Sequence, residues 1–342
     1  MPDAMPALDD RLLAVGIREV VDRLSRQTKD TLGGLIRVGE RVALLDHPGH
    51  GNVGDHAIWF GETVALASLR ARRVYTCDLH SYDRGDAAAA KGDRLILIHG
   101  GGNLGDLWPR HEQFREDLIR DFPNNRIVQL PQSVHFDDPG KAASLRDRIK
   151  GHGGVTLMVR DRPSVVRAAD LLGVEAVLCP DMAFALGPLP RPHAPRCDVM
   201  YLKRSDNEAR SDQGLAASKI ADATLESRDW LDFDGVEALL DKAESHYPSV
   251  FNSTLGRRQL RGWLYDRRSR MSVRRGIAIL ARGRTVVSDR LHGVILSLLV
   301  GLPVVPLDNR TGKIWDFIST WLPPQIVQQL ANSARLWRPV QN

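Results

Sequence analysis

The sequence predicts an α/β protein with two doubly wound parallel-sheet domains, and three observations carry that expectation. Short apolar, β-rich runs alternate with helical stretches along the chain. Those runs are almost continuously hydrophobic, as strands covered on both faces must be. The chain's 342 residues exceed one ordinary core and suit two domains of roughly 150 to 180 residues.

The elements follow in order. Residues 8–26 carry Leu12, Leu13, Ile17, Val20, Val21 and Leu24 at helical spacing, with Asp9 and Asp10 placed to favour a helix start. Strands are predicted at 42–46, 73–77, 95–99, 127–130, 156–159 and 176–179, with helices over 57–71 and 114–121 between them. Four prolines between Gly187 and Pro195 exclude helix and central strand, so 188–196 reads as a linker. Beyond it come strands at 198–202, near 230–233, at 285–288 and at 303–307, and a helix over 236–245. The expected organisation is thus an N-terminal domain over 1–187, the linker, and a C-terminal domain over 197–342 whose last helix packs back on the first domain.

Bulk composition narrows the class. Hydrophobic residues at 43% and charged residues at 26% are those of a soluble globular chain. No run approaches the roughly 18 consecutive apolar residues of a membrane span, and the first residues lack the order of a secretory signal. Cys77, Cys179 and Cys197 are odd in number and widely spaced, which suits buried thiols in a reducing cytosol. The histidines form no zinc-binding spacing, so no metal is expected. The net charge of +5 is uneven: from Arg257 to Arg275 eight arginines face one acid, Asp266, with Trp263, Leu264 and Tyr265 among them. That stretch reads either as a solvated helix face or as a foot on anionic lipid headgroups or a pyrophosphate-linked acceptor. No recognition motif points to nucleic acid.

Four constellations carry chemistry. Gly49-His50-Gly51-Asn52-Val53-Gly54-Asp55 and Gly100-Gly101-Gly102-Asn103-Leu104-Gly105-Asp106 both read G-x-G-N-[V/L]-G-D after an apolar run. Glycines between a strand and a helix start expose backbone N–H groups to anions and sugar hydroxyls. Both loops contain the dinucleotide pattern G-x-G-x-x-G, and Asp78 ends the next strand. Against a nicotinamide cofactor, Asp55 sets a carboxylate where a pyrophosphate would sit. Next, the strand ending at Val159 delivers Arg160, a bidentate donor for carboxylate or phosphate, or else a partner for Asp161 or Asp181. Third, Arg290-Leu291-His292-Gly293 follows another strand and pairs an anion-binding guanidinium with a side chain that titrates near neutrality. Last, Lys313 follows the strand near 303–307 as a point charge for phosphate, or as an ordinary loop lysine.

Taken in order, these stretches resemble the polysaccharide pyruvyl transferase family. The matching residues are Gly51-Asn52-Val53-Gly54-Asp55, His99-Gly100-Gly101-Gly102-Asn103, Val128-Gln129-Leu130-Pro131-Gln132-Ser133, Val159-Arg160-Asp161 with Ser164, Cys179-Pro180-Asp181-Met182-Ala183-Phe184, Ser288-Asp289-Arg290-Leu291-His292-Gly293, and Lys313. The resemblance implies a GT-B-like fold, two Rossmann-like domains facing across a cleft. It implies transfer from phosphoenolpyruvate to a hexose of a bacterial surface polysaccharide precursor, lipid-linked in many members, with no further cofactor. Carried over, Arg160, Arg290 and His292 meet the donor, with Leu291 beside them and Lys313 a looser match. His292 is then the general acid towards the enol methylene. On the acceptor side stand Asn52, Gly54, Gly101, Gly102 and Asn103, with Asp55 as a base. A cytoplasmic protein, peripheral at the inner face of the plasma membrane, is expected. The rival reading is a GT-B glycosyltransferase using a nucleotide sugar.

Overall fold

The computed structural model describes residues 10–87, 94–205, 223–233 and 255–337. Among these, the strands form two wholly parallel sheets. The first contains β1 (Arg41–Leu45), β2 (Arg72–Cys77), β3 (Leu95–Ile98), β4 (Gly101–Gly105), β5 (Ile127–His135), β6 (Val155–Val159) and β7 (Val177–Leu178). Its order is β2-β1-β3-β5-β6-β7, with β4 pairing alongside β5. The second contains β8 (Cys197–Leu202), β9 (Leu225–Arg228), β10 (Gly283–Ser288) and β11 (Val304–Pro306), in the order β11-β10-β8-β9.

Strand alternation feeds two cores in the first sheet. Ala43, Leu45, Ile96 and Ile98 point to a layer with α4 (Pro109–Asp121) and α5 (Pro139–His152). Val42, Leu44, Leu95 and Leu97 point to the other, which holds Ile58, Trp59, Ala65 and Leu66 of α2 (Val53–Ser68). Burial on both faces is why these strands read as near-continuous apolar runs. α2 presses so closely on the turn at Met182–Leu186 that a Cβ on Gly61 would lie 1.8 Å from the Met182 carbonyl oxygen.

Contacts divide the chain into two units. The first-sheet unit comprises Gln27–Ala185 and Phe233–Val273; the second-sheet unit comprises Met1–Arg26, Leu186–Asp232 and Arg274–Asn342. Two helices therefore cross the division: α1 (Asp10–Gly33) and the long helix Leu255–Leu280, here α7 after the short α3 (Arg84–Ala87) and α6 (Arg162–Arg167). Tyr265 is the anchor that the sequence hid, buried in the first-sheet core. Its hydroxyl donates to Asp78 Oδ2 at 2.9 Å. The last helix, α10 (Pro324–Trp337), lies against β11 in its own unit, burying Leu330 and Ala334. In that same unit Arg23, midway along α1, donates to the Trp321 carbonyl at 2.8 Å.

The linker residues form no helix or strand, as the prolines require, yet they are tied down: Leu189 N donates to Leu299 O, and Arg191 reaches Ala281 O and Gly283 O. The strand expected near Trp230 lies earlier, at β9. Its sequence Leu-Glu-Ser-Arg is half exposed and carries no apolar run, while Trp230 itself is buried beyond the strand's end. The predicted helix over 236–245 lies outside the described residues. The second glycine loop is also corrected: it does not start a helix but continues as β4. Cys77 and Cys179 are buried and Cys197 half-buried, all as thiols.

Candidate functional site

In the first-sheet unit the polar residues gather where β1, β3, β5 and β6 end. Asn52 caps α2, its side-chain oxygen accepting from Gly54 N at 3.1 Å, while its amide donates to Asp55 Oδ2 at 2.8 Å. His50 Nε2 stands 3.6 Å from the same carboxylate oxygen. An acid in the first helical turn is favoured by the peptide dipoles, and here it occupies the place a pyrophosphate would need. The Asp78 carboxylate that a dinucleotide ribose would need is already engaged by His80 N, Ser81 N and the Tyr265 hydroxyl.

The second glycine loop can run as a strand because Gly101 and Gly105 have φ of +131° and +130°, a region L side chains avoid. A Cβ on Gly105 would lie 1.6 Å from the His135 carbonyl oxygen, and one on Gly101 would stand 3.7 Å from Asp55 Oδ1. The two loops therefore meet. Asn103 Oδ1 accepts from Arg115 and from Gln132 Nε2, both at 2.8 Å, and Asn103 N donates to Gln132 Oε1. Register then places Gly101, Gln132 and Val159 side by side across β4, β5 and β6. Arg160 follows directly. Its Nε donates to Ser133 Oγ at 2.9 Å and its NH1 pairs with Asp181 at 2.8 Å, with the side chain 2% exposed. The pairing with Asp181 foreseen from the sequence is present, while Asp161 instead caps α6 through Ser164 N.

Several members of this cluster escaped sequence reading. Asp46 ends β1 at φ +70°, rare outside glycine, and both its oxygens lie 3.1 Å from His111 Nδ1. Burial pushes the Asp46 carboxyl up, but the hydrogen bond and charge of His111 outweigh it and hold it below its ordinary value. Burial, reinforced by nearby cations, drives His47 and His56 well below theirs. Both rings meet Ser269 Oγ on α7, at 3.2 and 3.0 Å, and His47 stacks on Tyr265 at 3.9 Å. Glu62 and His99 form a buried pair 2.9 Å apart. Glu62 left one signal: an acid on the apolar stripe of α2, one turn from Ile58 and Leu66.

The second-sheet unit contributes the Arg-Leu-His stretch. β10 ends at Ser288, and Arg290 is the N-cap of α8 (Leu291–Val300). Arg290 NH2 donates to Asp229 Oδ1 at 2.6 Å. Burial raises the Asp229 carboxyl, but the Ser205 hydroxyl and Arg290 bring it below its usual value. Leu291 and His292 fill the first turn, both buried. Gly293 is required there: a Cβ would lie 2.2 Å from Ser288 Oγ and 2.7 Å from Leu202 Cδ2. Asp289 accepts from Arg204 N at 2.8 Å, and burial lifts its carboxyl to about 6. Lys313, half-buried, begins α9 (Lys313–Trp321) after the neighbouring strand β11.

The acceptor-side candidates Asn52, Gly54, Asp55, Gly101, Gly102 and Asn103 thus share one sheet edge with Arg160, whereas Arg290, Leu291, His292 and Lys313 belong to the other unit. Among the described residues, Asp106, His135 and Asp137 bring three donor atoms within 4.8 Å of one another, though Asp106 Oδ2 already accepts from Asp137 N and Asp138 N. No described helix is long and apolar enough to cross a membrane.

A parallel α/β fold carrying these strand-end motifs defines a class, and the comparisons name it. The family model for polysaccharide pyruvyl transferase matches residues 52–311. The chain belongs to that family. It is 32% identical over 300 residues to Pyruvyl transferase 1 of Schizosaccharomyces pombe, covering 83% of this chain and 70% of that one. It is 29% identical over 300 residues to EpsO of Bacillus subtilis, covering 86% of this chain and 90% of the other. A functionally uncharacterized protein from Klebsiella pneumoniae has a similar solved structure, with TM-score 0.57, 18% identity, and coverage of 86% and 93%. That likeness concerns the fold alone.

Proposed function

We propose that this protein transfers the pyruvyl group of phosphoenolpyruvate onto two hydroxyls of a hexose in a surface-glycan precursor, forming a pyruvate ketal and releasing phosphate. The observation that carries the reading is the register Gly101–Gln132–Val159, which sets Arg160 one residue beyond the row that holds the second glycine loop, the loop that Asp55 of the first approaches at Gly101. A guanidinium suited to a doubly charged anion thereby adjoins backbone and amide groups suited to a sugar. One hydroxyl proton of the acceptor ends on the enol methylene, making a methyl group, and the other leaves with phosphate. His292 delivers the first of these protons, worth on the order of 10²–10⁴-fold in rate. Arg160 and Arg290 grip the carboxylate and phosphate, assisted by Lys313. Because Asp181 and Asp229 already fix those guanidinium groups, they need no reorganisation when charge develops. Asn52, Gly54, Gly101, Gly102 and Asn103 face the acceptor, with Asp55 near its hydroxyls.

The arginine-rich helix fits a lipid-linked acceptor. Arg261 and Arg268 turn inward, leaving Leu260, Trp263, Arg267, Arg270, Met271 and Arg274 along one exposed face of α7. Trp263 is 54% exposed, with the Arg267 guanidinium 5.6 Å from its ring centre. A cationic face carrying an exposed tryptophan suits an anionic headgroup layer on the cytoplasmic side. Reversing Arg267, Arg270 and Arg274 to glutamate should abolish low-salt binding to anionic vesicles; unchanged binding removes this part. The donor assignment is tested by thermal shift. Stabilisation by phosphoenolpyruvate, with none by nucleotide sugars, is expected; the reverse overturns it.

A further inference from the structure

Resting on that reading, we propose that His99, held by Glu62, takes the proton from the attacking acceptor hydroxyl. His99 ends β3 immediately before the second glycine loop and is 3% exposed. Its Nδ1 lies 2.9 Å from Glu62 Oε2, and Glu62 Oε1 accepts from Gly100 N, also at 2.9 Å. Both carboxylate oxygens are therefore acceptors, so Nδ1 carries the hydrogen and the neutral ring keeps its lone pair on Nε2. That nitrogen is buried with no hydrogen-bond partner among the described residues.

A buried lone pair without a donor is costly, and natural structures keep few of them. Here it is explained if a ligand hydroxyl supplies the donor. The neighbourhood is the acceptor side: the His99 carbonyl accepts from Gln132 Nε2, the same amide that holds Asn103. The arrangement of carboxylate, imidazole and incoming hydroxyl is one that recurs wherever an alcohol must become a nucleophile. In the step, the acceptor O–H bond breaks, Nε2–H forms, and the oxygen pair makes the new bond to C2 of the enol ester. The C2=C3 π pair takes a proton from His292 to become the methyl group, and the second hydroxyl's proton afterwards restores His292. The proton on Nε2 later leaves with phosphate.

The charged groups around His99 act on its ring in the opposite sense to burial. Burial pushes its imidazole down, while the charge and hydrogen bond of Glu62, joined by Asp46 and Asp55, outweigh burial and raise it above its usual value. Glu62→Gln keeps the shape of the pair and removes the charge.

The test combines kinetics with ¹⁵N imidazole NMR on the full chain. Wild type should show His99 protonated at Nδ1 throughout and titrating at Nε2 above the ordinary histidine value. Glu62→Gln should shift that titration downwards and move the acidic limb of kcat with it. His99→Gln should lower kcat on the order of 10²–10⁴-fold with KM for phosphoenolpyruvate unchanged. A limb that stays in place in Glu62→Gln, or wild-type turnover in His99→Gln, overturns the proposal. So does an NMR spectrum with the hydrogen on Nε2. If wild type turns over no phosphoenolpyruvate with any glycosyl acceptor, the parent reading fails, while the NMR arm still decides on the pair.

Discussion

Asp289 offers a prediction that can be worked to a number. Its carboxyl is 3% exposed and burial raises it from 3.8 to about 6, despite the Arg204 amide and the charges of Arg290 and Arg204. The folded state therefore binds this proton more tightly than the unfolded chain does. Its stabilising effect is complete below the unfolded value of 3.8 and is lost as pH rises towards about 6. A shift of about two units corresponds to about 3 kcal/mol at most. Asp289→Asn keeps an oxygen for Arg204 N and cannot ionise, so it lacks this loss. About 2 kcal/mol of this falls between about pH 4.5 and about pH 7.5, so over that range the melting temperature of the variant relative to wild type should become more favourable by about 4–8 °C, at about 2–4 °C per kcal/mol for a unit of this size. Differential scanning calorimetry at both pH values reads the difference directly. A difference that stays constant, or moves against the variant at the higher pH, refutes the buried-carboxyl argument.

Three further outcomes follow from the same geometry. Gly61→Ala would put a Cβ 1.8 Å from the Met182 carbonyl oxygen, so the backbones of α2 and the 182–186 turn must part; a loss of at least about 1–3 kcal/mol is expected from overpacking, read as a lower urea midpoint. His292→Ala should lower kcat far more than it weakens phosphoenolpyruvate binding, as steady-state and equilibrium titrations would show; equal losses in both would remove the acid role. Arg290→Ala should damage both, because it also leaves Asp229 without the guanidinium that holds its carboxyl down.

How much of this was legible in the sequence depends on how local each signal was. The buried strands β1, β3 and β6 announced themselves as apolar runs, and the strand-end arginines stood one residue after β6 and two after β10. β9 did not, because an edge strand reading Leu-Glu-Ser-Arg carries neither alternation nor apolar length. The second glycine loop followed the first in sequence but not in structure. Gly101 and Gly105 take positive φ, and β5 is long enough to pair a second strand beside β3. The pairs that hold the site together were invisible for a different reason. Glu62 with His99, Asp46 with His111, and Arg290 with Asp229 join residues 37, 65 and 61 positions apart, and no periodicity reports such contacts. Likewise, Tyr265 reads as one aromatic in an arginine-rich helix until its burial in the first-sheet core assigns that helix, as far as Val273, to the first-sheet unit.

Pyruvyl transfer itself is decided by what happens to phosphoenolpyruvate when purified protein meets glycosyl acceptors. Phosphate release and glycan mass should be followed in the same reaction across a panel of hexose-bearing surface-glycan precursors. One phosphate is expected for each pyruvate ketal formed, with none released when the acceptor is omitted. Phosphoenolpyruvate left intact across the panel, while a nucleotide sugar is consumed and its glycosyl group transferred, would contradict it.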